Sequence, residues 1–169
     1  MERRYTAFRY TAYALELLLL FILQTTPRLF PEIFGSKPLF LLPAALTISF
    51  LESEIPALFF GMAGGIMLDL GYSDNIGFFV FTLTVSCFFI SLIFRDYFVV
   101  SFLNATAFTA IFSAGLIVIY YLFFHVFAGK GNSLFYFFEH YFSRITLTII
   151  VGILLYYLNK FLFRSLRDH

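Results

Sequence analysis

Two carboxylates lie inside long apolar runs and are the side chains best placed to do chemistry. They are Glu16 and Asp69. A carboxylate within a membrane is costly, so it usually has a partner or a function. Glu16 could be protonated, paired with Arg9 two turns earlier, or turned toward a wet cavity or a partner subunit. Its type and position alone leave these alternatives open.

Asp69 has a different problem, because it lies near the C-terminal end of its apolar run. The helix dipole disfavours negative charge there. The next helix begins a few residues later and offers free N–H groups. We therefore predict that Asp69 folds the loop 69–77 against the start of that helix; the simpler alternative is a hydrated residue at a helix end.

A column of small residues leads up to Asp69. Ala57, Gly61, Gly65 and Asp69 are each four residues apart and would lie along one side of a helix. Such a column lets a second helix approach closely. The pattern predicts a helix-packing seam or a partner-binding surface. The remaining candidates for that surface are Gly64, Gly71 and Gly77.

Further polar residues interrupt the apolar runs. Gln24 repeats the four-residue spacing of Glu16 and gives the first run a weakly polar stripe. Asn104 opens a series of hydroxyl and small residues in a later run. Small and hydroxyl residues at helical spacing are typical of helix–helix seams, with a pocket lining as the alternative.

No motif of a known enzyme class occurs in the sequence. It has no HExxH pattern, no nucleophile elbow and no P-loop, and the glycine cluster does not follow a strand. The single cysteine, Cys87, can form no intrachain disulfide and has no metal-ligand companion. We therefore expect neither enzymatic activity nor a catalytic residue, cofactor or metal.

Composition indicates the environment in which these residues lie. Of 169 residues, 61% are hydrophobic and only 12% are charged, whereas a soluble domain carries roughly 25% charged residues. The net charge of +1 argues against nucleic-acid binding. The apolar run after Arg9 is long and has no small-residue cleavage pattern, so it reads as a retained first span. The sequence predicts a single all-α integral membrane domain.

Six apolar runs are candidates for transmembrane helices, which need about 20 residues to cross the bilayer. The predicted spans are residues 9–26, 37–51, 55–70, 76–94, 98–127 and 143–163. The second is short, could be re-entrant, and contains Pro43, which is expected to kink it. The third should begin near Ser53, with Pro56 in its first turn.

Lysine and arginine placement predicts the orientation. If the N-terminus is cytoplasmic, most basic residues fall on the inner side. This bias predicts a multi-pass protein of the cell membrane with both termini in the cytoplasm and an even number of spans.

Two stretches of the chain resemble the MreD family of bacterial rod shape-determining proteins. The first runs from Leu23-Gln24-Thr25-Thr26 through Pro27 to Pro38-Leu39 and is similar to the end of the first span and the proline start of the second. The other is Phe60-Gly61-x-x-Gly64-Gly65-x-x-x-Asp69-x-Gly71 followed by Ile76-Gly77, which is similar to the glycine-rich third span and the opening of the next helix.

The resemblance implies a non-enzymatic membrane subunit of the elongation machinery. Such a subunit binds MreC and connects MreB filaments to a RodA-type glycosyltransferase and its class B transpeptidase partner. It also implies a fold similar to the substrate-binding subunits of energy-coupling-factor vitamin importers. An importer subunit is therefore the alternative function, and a lipid-handling protein is a third.

Overall fold

The structure, a computed structural model, describes residues 2–26, 39–72, 77–97, 101–123 and 143–165. Parts of the predicted second, fourth and fifth spans lie outside these ranges. So does most of the first stretch that carries the MreD resemblance, together with the segment 73–76 that precedes Gly77.

The described residues form six helices. In chain order they are α1 (Glu2–Thr25), α2 (Leu41–Leu51), α3 (Glu54–Tyr72), α4 (Phe78–Asp96), α5 (Phe102–Tyr121) and α6 (Ser143–Ser165). Each falls on one of the predicted spans, which confirms the all-α class. Hydrogen bonding in α3 begins at the Ser53 carbonyl, which accepts from the Ala57 N–H, so Pro56 lies in the first turn as predicted.

Five of these described helices are long and apolar enough to cross a membrane, and α2 is not. An 11-residue helix rises roughly 16 Å, about half of the hydrocarbon thickness. Of the six candidate spans, the second is therefore the one whose described helix is too short to cross a membrane, in line with its short apolar run. Apolar composition does not distinguish a helix that faces lipid from one enclosed by protein.

The helices alternate in direction between two ends of the bundle. The Arg9 end is defined by two ion pairs, Arg9 with Glu52 and Arg95 with Glu54. The Asp69 end is defined by hydrogen bonds of Gln24 with Phe40, Asp69 with Gly77 and Thr148 with Leu39. The Arg9 guanidinium also lies 4.9 Å from the Phe163 ring centroid. The beginning of α1 and the end of α6 thus share one end of the bundle.

The short helix α2 forms the centre of the fold. Every residue from Leu41 to Phe50 is buried, and α2 contacts each of the other five helices. Pro43 does not need to kink it, because α2 begins at Leu41 and Pro43 lies in its first turn. A backbone N–H at that position has no partner within the helix, so its absence costs little.

The outer faces of the long helices are apolar. Large side chains along the outside of α3 are between 37% and 70% exposed: Ile55, Phe59, Met62, Ile66 and Leu70. Comparable side chains stand on the outer faces of α1, α4, α5 and α6. Such a surface matches a hydrocarbon solvent and is consistent with a multi-pass membrane protein.

Candidate functional site: a glycine seam and a buried polar cluster

The glycine column of α3 is a close-packed seam against α4. A Cβ atom added to Gly65 would lie 2.6 Å from Val80 Cα and 2.7 Å from the Phe79 carbonyl oxygen. One added to Gly61 would lie 2.8 Å from Cys87 Cβ. These distances are shorter than real carbon contacts, so only glycine allows the two backbones to approach this closely.

The other small residues of the predicted site serve different contacts. Gly64 faces α2, where an added Cβ would meet Ala45, and Gly71 faces α1, where it would meet Thr25. Ala57 is fully buried. Gly77 precedes α4 with a φ of 108°, a left-handed conformation that favours glycine. The glycines therefore hold α3 against three neighbouring helices of its own chain.

Asp69 completes the seam by capping α4. Its Oδ2 accepts hydrogen bonds from the N–H groups of Gly77 at 2.8 Å and Val80 at 3.1 Å, and its Oδ1 accepts one from Phe79 at 3.1 Å. Asp69 is only 2% exposed. The backbone groups at the helix start offset its negative charge. This confirms the prediction that Asp69 is compensated by the next helix, and it rules out the alternative of a hydrated helix end.

Side chains from other helices cap α2 at both ends. Gln24 of α1 accepts from the N–H groups of Phe40 and Leu41 at 3.0 and 3.3 Å, and the Thr148 hydroxyl accepts from Leu39 N–H at 3.3 Å. At the opposite end, the Ser91 hydroxyl donates to the Glu52 carbonyl at 2.6 Å. The polar position predicted at Gln24 thus serves to hold the buried helix.

The polar residues of α5 belong mainly to packing. Asn104 lies in the first turn of α5 and is half-buried. Thr109 is buried, donates to the Ala105 carbonyl at 2.8 Å, and faces Gly152 of α6. This contact matches the predicted seam.

A buried ion pair lies at the Arg9 end. Arg9 Nε is 2.7 Å from Glu52 Oε1, and Arg9 Nη2 donates to Glu52 Oε2 at 2.9 Å. The Glu52 side chain is only 3% exposed, and the Tyr13 hydroxyl is buried beside its carboxylate. Burial raises the pKa of the Glu52 carboxyl above its ordinary value, and the Arg9 guanidinium opposes that rise.

Glu16 belongs to a second buried group next to this pair. The Asn159 side-chain N–H₂ donates to Glu16 Oε1 at 3.1 Å and to the Thr47 hydroxyl at 2.9 Å. Of the alternatives left open for Glu16, pairing with Arg9 is wrong, since Arg9 pairs with Glu52. Residues of α1, α2 and α6 meet in this group, which we call the Glu16 cluster: Glu16, Thr47 and Asn159.

Sequence reasoning missed Glu52, Thr47 and Asn159 as members of the buried polar region. The signal for Asn159 is a single amide inside the apolar sixth span, where a polar side chain is expected to have a partner. Thr47 stands in a run that is otherwise apolar. Glu52 and Glu54 are separated by one residue, and the sequence does not show that Glu52 is buried while Glu54 forms an exposed ion pair with Arg95.

Comparisons with models of known protein families, with curated proteins and with solved structures find no match. Function therefore has to be argued from the residues themselves. The glycine seam can hold α3 rigidly against α4. The Glu16 cluster can hold α1, α2 and α6 together. Among the described residues no group of three His, Cys, Asp or Glu side chains is placed to hold a metal ion.

Proposed function

We propose that this chain is a non-enzymatic scaffold subunit of the rod-shape and elongation complex, of the MreD type. It would bind the transmembrane helix of MreC and help link MreB filaments to peptidoglycan synthesis by a RodA-type glycosyltransferase and its class B transpeptidase. The proposal places the chain in the cell membrane with the Arg9 end in the cytoplasm. It includes a fold similar to the energy-coupling-factor substrate-binding subunits.

One observation carries this proposal. The glycines and the aspartate on which the family resemblance mainly depends form one structural unit centred on α3. Gly61 and Gly65 pack against α4, Gly64 against α2 and Gly71 against α1, and Asp69 accepts from Gly77 N–H. A pattern without structural meaning would not be expected to converge in this way. The unit is held by packing and by capping, which suits a scaffold.

The proposal assigns the glycines and the surface that binds MreC to different parts of α3. Gly61 and Gly65 already face α4, so an incoming helix could use them only by displacing α4. They act as supports in this proposal. The seam positions α3, and another side of α3 is an apolar face that includes Phe59, which is 58% exposed. We assign the contact with the MreC helix to this outer face.

Co-purification tests the proposal. The tagged chain is co-expressed with MreC from the same genome and purified in mild detergent, and MreC should co-elute in a fixed ratio. Phe59→Ala should reduce the recovered MreC, because it removes a large apolar contact from the proposed face. Phe81→Ala is the matched control, since Phe81 is 71% exposed on neighbouring α4.

The possible results test the scaffold function and the proposed binding surface on α3 separately. Absence of MreC from the wild-type eluate would overturn the scaffold proposal. Co-purification of a coupling subunit with its ATPases would replace it with the importer alternative. Equal recovery of MreC with both variants would keep the function and reject the α3 face.

A further inference from the structure

The Glu16 cluster contains two buried oxygen atoms that the scaffold role does not explain. Glu16 Oε2 and Asn159 Oδ1 are both buried, and neither has a hydrogen-bond partner among the described residues. Glu16 is 8% exposed and Asn159 is 0% exposed. Buried polar atoms are nearly always satisfied, so two such atoms on adjoining side chains need an explanation.

The hydrogen-bonding chemistry of the Glu16 carboxyl group and the Asn159 amide explains both atoms. An ionised carboxylate has only acceptor atoms, and so has the carbonyl of an asparagine amide. A protonated carboxyl group has an O–H donor. One proton on Glu16 Oε2 would therefore provide a donor for Asn159 Oδ1. The N–H···O bond of 3.1 Å from Asn159 Nδ2 to Glu16 Oε1 already forms the other half of such a pair.

The orientation of Asn159 fits this arrangement. Its N–H₂ group has two hydrogens, and its two acceptors are Glu16 Oε1 and the Thr47 hydroxyl. Both donor positions are used, so Asn159 has no hydrogen left with which to neutralise a second carboxylate oxygen. The Thr47 hydroxyl donates to the Ala44 carbonyl at 2.9 Å, so its hydrogen is also used.

The charged neighbours are engaged elsewhere. On α1 and at the end of α2, Arg9 pairs with Glu52, beside the Tyr13 hydroxyl. On α6, Lys160 Nζ lies 3.3 Å from the Tyr156 hydroxyl and over its ring. At the start of α3, Glu54 pairs with Arg95. Glu16 thus has no described cation of its own, and a buried carboxyl without a cation favours its neutral form.

We propose that Glu16 and Asn159 form a proton-binding site buried between α1 and α6, in which the neutral acid of Glu16 and the amide of Asn159 hold each other by two hydrogen bonds. The bound species is a proton. This inference does not depend on the scaffold function. It gives the bundle an uncharged polar lock around α2 that would loosen when the proton leaves.

Infrared spectroscopy of the full chain in lipid nanodiscs tests the proposal directly. A protonated carboxyl group has a carbonyl stretch that is distinct from that of a carboxylate. Labelling with ¹³C-glutamate shifts the protein band but not the bands of the lipid esters. The difference between the spectra of labelled and unlabelled protein near neutral pH should therefore show one neutral glutamic acid. Its absence in the wild-type protein would overturn the proposal without the need for any variant.

Two variants assign the band. In Glu16→Gln the band should be lost, while the amide of the new side chain keeps both hydrogen bonds and preserves the fold. Glu54→Gln is the control, and there the band should remain at full intensity. If Glu16→Gln folds and keeps the band, another glutamate carries the proton and the proposal fails. If Glu16→Gln does not fold, Asn159→Leu should shift the wild-type band by removing its hydrogen-bond partner; an unshifted band would reject the pair.

Replacement of sodium by choline at constant pH distinguishes a proton from a metal cation. A proton site should show the same band in both salts. A band that appears only when sodium is removed would show that the oxygen atoms bind the cation, and it would overturn the proposal.

Discussion

Asp69 and Glu16 are both buried carboxylates within apolar helices, yet they differ in their hydrogen-bond donors. Asp69 receives three backbone N–H groups from the start of α4. Glu16 receives one side-chain N–H from α6, and its other oxygen has no hydrogen-bond partner among the described residues. A helix start can stabilise a full negative charge, whereas a single amide cannot. The Asp69 end therefore supplies donors to both carboxylate oxygens, whereas the Glu16 cluster at the other end supplies a donor to only one.

Breaking the ion pair at the Arg9 end should have the largest effect on stability. Arg9→Met leaves Glu52 buried without its cation, which we expect to lower the free energy of unfolding by about 3 kcal/mol or more. Unfolding in mixed detergent micelles measures the loss. Adding Glu52→Gln to the same chain should recover part of it, because the uncompensated charge is then removed.

The matched control for this prediction is the exposed ion pair. Arg95→Met breaks the contact with Glu54, which water and headgroups can replace, so the unfolding transition should hardly move. Equal losses for Arg9→Met and Arg95→Met would show that burial does not distinguish the two pairs.

A substitution in the glycine seam should destabilise the protein less than loss of the buried ion pair, and the effect should depend on which glycine is replaced. Gly65→Ala forces a methyl group against the backbone of α4, and overpacking of this kind costs about 1–3 kcal/mol. The same substitution at Gly115 has open space for the new Cβ, and alanine favours a helix. We expect Gly65→Ala to destabilise the protein and Gly115→Ala to leave it unchanged or slightly stabilised. If the two substitutions shifted stability in the same direction, the close approach of α3 and α4 would not be the cause.

The contrast between the two regions also explains what the sequence could predict. The nearest and farthest partners of Asp69 lie 8 and 11 residues along the chain, so local helix rules were sufficient to predict the cap. Asn159 lies 143 residues from Glu16, and Glu52 lies 43 residues from Arg9. No spacing rule connects residues that distant, and the partner that spacing did suggest for Glu16 was Arg9, the cation on the same helix.

The short helix α2 shows the same limit for the fold. Hydrophobicity located the six described helices, but it could not show that α2 is enclosed by protein. Lipid and protein interiors select the same apolar residues, so only the tertiary contacts distinguish them. The capping groups Gln24, Thr148 and Ser91 come from three other helices, and these contacts likewise follow from the three-dimensional arrangement.

Loss of the Asp69 cap should destabilise the protein least of the three changes. The effect should depend on which end of α4 loses its carboxylate. Asp69→Ala leaves the Gly77, Phe79 and Val80 N–H groups without their acceptor, and loss of a cap costs about 0.5–2 kcal/mol. We expect a lower melting temperature in detergent. Asp96→Ala removes an exposed carboxylate from the other end of the same helix, where the dipole disfavours negative charge, and should not lower it. A melting temperature unchanged by Asp69→Ala would mean that these hydrogen bonds do not stabilise the fold, and Asp69 would then become a candidate for partner binding.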